Sequence, residues 1–254
     1  MNRSPILRAL SSIRKSGAKT LLMGGQACVF YGAAEFSRDI DLLVLIDSEN
    51  LDRLRQALED LGAKAIAVPP LEAVYLRSGH AVHFRCSRAD VDGLRIDLMS
   101  SLRGLPKFED LWQRRTSIEV IGEEVDLLSL EDLVSAKKTQ RSKDWPMIQR
   151  LVEQHYFTNI ESGNPEQIAF WLQELRTPQL LLDLTKFYPA TAQRLVPSRP
   201  AIQAALNNDL LAISHALEQE EKTIKHQDRL YWEPLKRELE YLRHKKREKE
   251  QPKL

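Results

Sequence analysis

Asp39 and Asp41 stand two residues apart in "DIDLLVLI", an otherwise apolar run that reads as a buried strand. Side chains of an extended strand alternate between faces, so the two carboxylates share one face while Ile40, Leu42 and Val44 take the other. Two like charges side by side on one face repel unless a cation lies between them. A hard divalent ion such as Mg²⁺ suits them, because it takes carboxylate and phosphate oxygens together. Asp97 repeats the pattern in "LRIDLM", between Ile96 and Leu98 of another apolar run. Upstream, Gly24 and Gly25 sit where a strand turns into a helix, a place where glycine lets backbone N–H groups come close to phosphate. Each feature alone is weak, since a strand-borne Asp often marks only a sheet end and a Gly-Gly pair only a turn. In this order and spacing they point to cation-assisted chemistry on a phosphate.

The elements that must position these residues alternate between helix and strand up to about residue 127. "SPILRALSSIRKSG" reads as a helix with Ile6, Leu10 and Ile13 at helical spacing. "KTLLM" follows as a strand, "GQACVFYG" as a short helix, and then the strand of Asp39 and Asp41. "SENLDRLRQALEDLG" places Leu51, Leu54, Leu58 and Leu61 on one face, with Gly62 set to end the helix. "AKAIAV", "AVHFRC" and "LRIDLM" are strand candidates, and "SIEVIG" with "EEVDLL" reads as a hairpin. This mixture predicts an α/β (α+β) domain over residues 1–128, a mixed sheet flanked by helices.

From Ser129 onward no strand pattern appears, which predicts an all-helical domain over 129–254. Ser129 and Asp132 have the spacing of a capping box, with Leu128 and Leu133 placed as a hydrophobic staple. Asp144 before Pro146, and Asn164 before Pro165, read as helix starts. Breaks are expected at Pro178, Pro189, Pro197 and Pro200, before a long polar helix in "EPLKRELEYLRHKKREKEQPKL". From Lys236 to the end, eight Lys or Arg face four Glu, and a solvated helix with a frayed end is the simpler account of that tail.

Composition sets the class. Charged residues make up 29% of the 254 and hydrophobic ones 43%, which argues for a globular chain rather than a disordered one. A net charge of +1 gives no overall pull toward nucleic acid or membrane. Cys28 and Cys86 match no metal or redox spacing and read as buried reduced thiols, as expected of a cytoplasmic protein. No apolar run has the length of a signal-peptide core or a membrane span.

Gly24-Gly25, thirteen residues, Asp39-Ile40-Asp41-Leu42 and then Ile96-Asp97-Leu98 resemble the signature of the nucleotidyltransferase fold of the polymerase-beta-like superfamily. "GGQACVFYG…SRDIDLLV" followed by "LSLEDLVSAKKTQRSKDW" is most similar to AbiEii-type (type IV toxin) and related stand-alone bacterial enzymes. The likeness covers about residues 18–150. It implies transfer of a nucleoside monophosphate from a nucleoside triphosphate, ATP or another, to a hydroxyl, with release of pyrophosphate. It also implies two Mg²⁺ ions, with Asp39 and Asp41 bridging both and Asp97 serving the ion at the acceptor, where it could take the acceptor's proton. Gly24, Gly25 and Ser37 would hold the triphosphate, with Lys137 and Arg141. The acceptor is left open among RNA, protein and small molecules, and a toxin role with an antitoxin partner is compatible with the likeness. Many relatives carry Arg-x-Thr-x-Asp-x-Asp. Here Ser37 supplies the hydroxyl, but Glu35 stands in place of the arginine.

The bare spacing of Lys137, Arg141 and Asp144 puts them on one helix face, which a solvated charged face would also do. His80 and His83 would fall on opposite faces of a strand and read as structural. The aromatics Phe170, Trp171, Phe187, Tyr188, Tyr231 and Trp232 read as helix packing. The alternative to an enzyme is a non-catalytic nucleotide- or partner-binding protein that keeps the fold.

Overall fold

The computed structural model describes residues 4–250, with side chains to residue 248. The seven strands are β1 (Thr20–Met23), β2 (Asp39–Val44), β3 (Lys64–Ala65), β4 (Val82–Arg85), β5 (Arg95–Met99), β6 (Thr116–Val120) and β7 (Glu123–Leu127). They form one mixed sheet in the order β3-β4-β5-β2-β1-β7-β6. β2 and β5 run parallel, as do β1 and β7, and the other neighbours are antiparallel. The helices of this part are α1 (Pro5–Lys15), α2 (Gly24–Phe30), α3 (Ser48–Asp60), α4 (Ala73–Arg77), α5 (Phe108–Gln113) and α6 (Leu130–Lys137).

Local chemistry explains most of these elements. Ser4 caps α1 by accepting the Leu7 N–H, Pro5 occupies its first turn, and Leu7, Leu10 and Ile13 are buried. Asp47 caps α3, which buries Leu51, Leu54 and Leu58. Gly62 ends α3 at φ +61, with its own N–H on the Glu59 carbonyl and the Ala63 N–H on the Leu58 carbonyl. Buried Asn50 pins α3 to the strand ends. Its amide donates to the Lys19 and Leu45 carbonyls and its oxygen accepts from the Lys19 N–H. The predicted strand over "AKAIAV" shrinks to Lys64–Ala65, and its two residues are exposed. Cys28 and Cys86 are buried and are not joined in a disulfide.

After Leu127 the chain is helical, with α7 (Asp144–Asn159), α8 (Pro165–Glu174), α9 (Pro178–Phe187), α10 (Pro189–Leu195), α11 (Pro200–Leu206) and α12 (Leu210–Glu250). Proline sits in the first turn of α8, α9, α10 and α11, as the sequence implied. Asn164 makes a full capping box with Gln167. The last helix starts at Leu210, well before Pro234, and carries that proline inside it at an exposed position. Trp171 and Phe170 are buried as expected, but Phe187 is largely exposed. The basic tail beyond residue 250 lies outside the described residues.

The chain divides into two compact units, Met1–Ala136 with Leu230–Leu254, and Lys137–Arg229. The change from mixed to helical structure therefore falls near residue 128, while compactness assigns most of α6 and the second half of α12 to the first unit. In that unit, buried His80 meets Glu238 of α12 at 3.0 Å. The second unit is organised around Trp145, Ile148, Leu151, Trp171, Leu172, Leu181 and Leu184. Its half-buried Glu220 pairs with Arg176 and Arg199 at 2.7 and 2.9 Å. No helix among the described residues is long and apolar enough to cross a membrane.

Candidate active site

Strand register builds the site. β2 and β5 pair Asp39 with Arg95 and Asp41 with Asp97. β5 and β4 pair Asp97 with His83 and Arg95 with Arg85. Directly paired residues share a sheet face, so one face carries two transverse rows. One is Asp41, Asp97, His83; the other is Asp39, Arg95, Arg85. The residues between them, Ile40, Leu42, Ile96, Leu98, Val82 and Phe84, go to the opposite face and are buried there. Burial of that second face locks the register, because a slip by one residue would turn every acid inward.

The glycine turn closes on this face. β1 pairs Met23 with Asp41, and Gly24 follows at φ +70. A Cβ at Gly24 would lie 1.8 Å from Asp41 Oδ2 and 2.7 Å from Asp41 Cβ, so only glycine lets the main chain pass so close to this carboxylate. A Cβ at Gly25 would lie 2.8 Å from Ser37 Oγ. That hydroxyl donates to the Asp39 carbonyl at 3.2 Å. Gly24, Gly25, Ser37, Asp39 and Asp41 are thus brought to one corner of the sheet. Glu35 is exposed.

Asp97 is placed beside Asp41, but its carboxylate is already engaged. Oδ1 meets His83 Nδ1 at 2.8 Å and accepts from Arg95 Nε at 2.8 Å, while Oδ2 meets Arg95 Nη2 at 2.8 Å. Burial works to raise the Asp97 pKa, yet the bonds from His83 and Arg95 prevail and hold it below the usual carboxylate range. The hydrogen bond that Arg95 donates to Asp97 leads the causes that raise the Arg95 pKa, and Asp39 and Asp41 add to it, so this guanidinium lies in the field of all three acids.

Sequence reasoning placed neither Arg95 nor His83 on the acid face, where the structure puts both. Arg95 lies two residues before Asp97 and so shares its face, a signal present in the alternation itself. His83 was expected to be structural. It lies on the acid face because β4 pairs with β5, whereas His80 lies outside β4 and is buried. Among the described residues, no group of three or more His, Cys, Asp and Glu side chains is arranged to hold a metal ion by itself.

Lys137, Arg141 and Asp144 belong to the second unit. The single helix face expected for them is not formed: α6 stops at Lys137 and α7 begins at Asp144. The helix breaks because Thr139 bonds locally, its hydroxyl donating to Asp144 and accepting the Arg141 N–H. The three still meet. Buried Asp144 accepts from Arg141 Nε at 2.8 Å and lies 3.6 Å from Lys137 Nζ. Lys137 is nearly buried, whereas the Arg141 side chain is 57% exposed. The Ser129–Asp132 cap forms in part. Ser129 Oγ accepts the Asp132 N–H, but the Asp132 carboxylate turns to the Ser129 hydroxyl and to a two-pronged pair with Arg114.

No protein-family model matches the chain, and no curated protein matches it. Among solved structures it is similar to an antigenic nucleotidyltransferase-like protein from Paracoccidioides brasiliensis. The two are 18% identical, over 80% of this chain and 93% of the other, with a TM-score of 0.38. At that score the likeness carries no argument about function, which therefore rests on the corner formed by Gly24, Gly25, Ser37, Asp39 and Asp41.

Proposed function

We propose that this chain is a Mg²⁺-dependent nucleotidyltransferase that moves a nucleoside monophosphate from a triphosphate to a hydroxyl acceptor and releases pyrophosphate. The observation that carries the reading is the pairing of Asp39 and Asp41 on one sheet face, against a main-chain turn that only glycine permits. A structural strand gains nothing from two adjacent carboxylates, whereas a divalent ion needs them. The donor set fits Mg²⁺, which is commonly held by one or two carboxylates and completed by substrate phosphates and water. Asp39 and Asp41 would hold it. When bound, it would draw charge from the phosphate oxygens and align the triphosphate for in-line displacement.

The chain's own groups do the rest. Gly24, Gly25 and Ser37 line the turn against which the β- and γ-phosphates would lie. Asp97 is engaged by His83 and Arg95, and in this reading it orients those two side chains as well as facing the ion at the acceptor. RNA, protein and small molecules remain the acceptor classes, and a toxin role with an antitoxin partner belongs to this same proposal.

The same engagement of Asp97 favours a second reading, a non-catalytic nucleotide-binding protein. Labelled transfer separates the two. Triphosphates carrying an α-phosphorus label are incubated with Mg²⁺, cell extract as the source of hydroxyls, and either wild-type protein or Asp39→Ala. Label joined to an extract component by wild type alone supports the enzyme. Mg²⁺-dependent triphosphate binding without transfer supports the binding protein, and equal triphosphate binding with and without Mg²⁺ overturns both.

A further inference from the structure

We infer that His83 accepts the proton of the attacking hydroxyl, with Asp97 holding its ring. This inference rests on the transfer reaction proposed above. It starts from the transverse row: Asp41 on β2, Asp97 on β5 and His83 on β4 stand in register on one sheet face. Two strand spacings, about 10 Å, separate the backbones of Asp41 and His83. His83 thus stands on the far side of Asp97 from the phosphate corner.

Hydrogen-bond geometry fixes the ring. His83 Nδ1 lies 2.8 Å from Asp97 Oδ1 and 3.2 Å from Arg95 Nη2. A bare Nδ1 would set its lone pair against a carboxylate oxygen at the shorter distance. An Nδ1–H donates to that oxygen instead, and the longer Arg95 contact is then only a neighbour. The proton on Nδ1 leaves the Nε2 lone pair to accept another. Asp97 is the more heavily engaged of the two, since Oδ1 takes two bonds and Oδ2 a third, which leaves a single lone pair on Oδ2. The His83 side chain is 24% exposed, more than the 14% of Asp97.

The step balances. The hydroxyl proton passes to His83 Nε2, and the oxygen pair it leaves forms the new bond to the α-phosphorus. The bond from that phosphorus to its bridging oxygen breaks, and its pair departs with pyrophosphate. A carboxylate that orients an imidazole and an imidazole that takes the proton divide the work between two residues, as in other histidine bases.

The test uses full-length protein, α-labelled triphosphates, Mg²⁺ and cell extract as the hydroxyl source. His83→Ala is expected to lose transfer by about 10²- to 10⁴-fold, to bind Mg²⁺-triphosphate as wild type does, and to regain part of its rate when imidazole is added. His83→Asn keeps an N–H for Asp97 and removes Nε2; it is expected to melt with wild type, to be as inactive as the alanine variant, and to gain nothing from imidazole. Activity near wild type in His83→Asn would show that only the bond to Asp97 matters and overturns the inference. So does a loss in His83→Ala that imidazole leaves unchanged. Wild-type protein that transfers no label overturns the transferase reading and this inference together, whereas equal transfer by wild type and His83→Ala overturns this inference alone.

Discussion

Gly24→Ala perturbs the corner of the site most directly, and two separable effects are expected from it. The first is backbone strain: at φ +70 an alanine pays roughly 1–2 kcal/mol for the left-handed region. The second is collision. The new Cβ would sit 1.8 Å from Asp41 Oδ2, which rotation of the carboxylate could relieve, but also 2.7 Å from Asp41 Cβ, which no side-chain rotation can move. Relief therefore requires the turn or β2 to shift, an overpacking cost of about 1–3 kcal/mol. The total is about 2–5 kcal/mol. Gly104→Ala supplies the control, since Gly104 has φ +76 and nothing within 4 Å of an added Cβ. Thermal melts of the two variants should differ, with roughly 4–20 °C lost in Gly24→Ala and about 2–8 °C in Gly104→Ala. Calorimetry should show Mg²⁺-dependent triphosphate binding weakened only in Gly24→Ala. If the two variants melt together and bind alike, the close approach of Gly24 to Asp41 is not what the site depends on.

Other outcomes follow from the same contacts. Asp97→Asn is expected to bind Mg²⁺-triphosphate nearly as wild type does but to transfer label at least about 10²-fold more slowly, read by label incorporation; loss of binding would make Asp97 a ligand of the ion on the triphosphate. Burial works to raise the Glu220 pKa, but Arg199 and Arg176 outweigh it and hold the carboxyl below its ordinary 4.5. A depressed folded pKa gives stability that is present above the unfolded value and lost as pH falls through the folded one. Melting temperature should therefore fall steeply below about pH 4.5, and Glu220→Gln should flatten that acid limb; an unchanged limb would contradict the pairing. Asn164→Ala should lower stability by about 0.5–2 kcal/mol in urea melts, because it removes the cap on the Gln167 N–H.

How much of this was legible in the sequence depended on whether a feature is local. Asp39 and Asp41 reveal their shared face through strand alternation alone, and the α3 leucines reveal their helix through a period close to 3.6. Gly24 and Gly25 could be placed at a turn, but the close approach of Gly24 to Asp41 depends on how β1 pairs with β2. His83 needed still more, because its bond to Asp97 exists only once β4 and β5 are in register across 14 residues of chain. The short helices α4 and α5 span five and six residues, too few to show a period. Lys137, Arg141 and Asp144 were read as one helix face because their spacing says nothing about the break that Thr139 causes. The sequence reading starts the last helix at Glu233, whereas α12 begins at Leu210 and accommodates Pro234 inside it.

The central claim, that the acid face of the sheet transfers a nucleotide, meets its most direct test in a stoichiometry. Wild-type protein with Mg²⁺, α-labelled triphosphate and cell extract is assayed for both label joined to an acceptor and pyrophosphate released. The account predicts equal amounts of the two, both abolished in Asp39→Ala and Asp41→Asn while those variants melt as wild type does. Pyrophosphate or label produced at the wild-type rate by Asp39→Ala, or no product from wild type with any of the four ribonucleoside triphosphates, would contradict it.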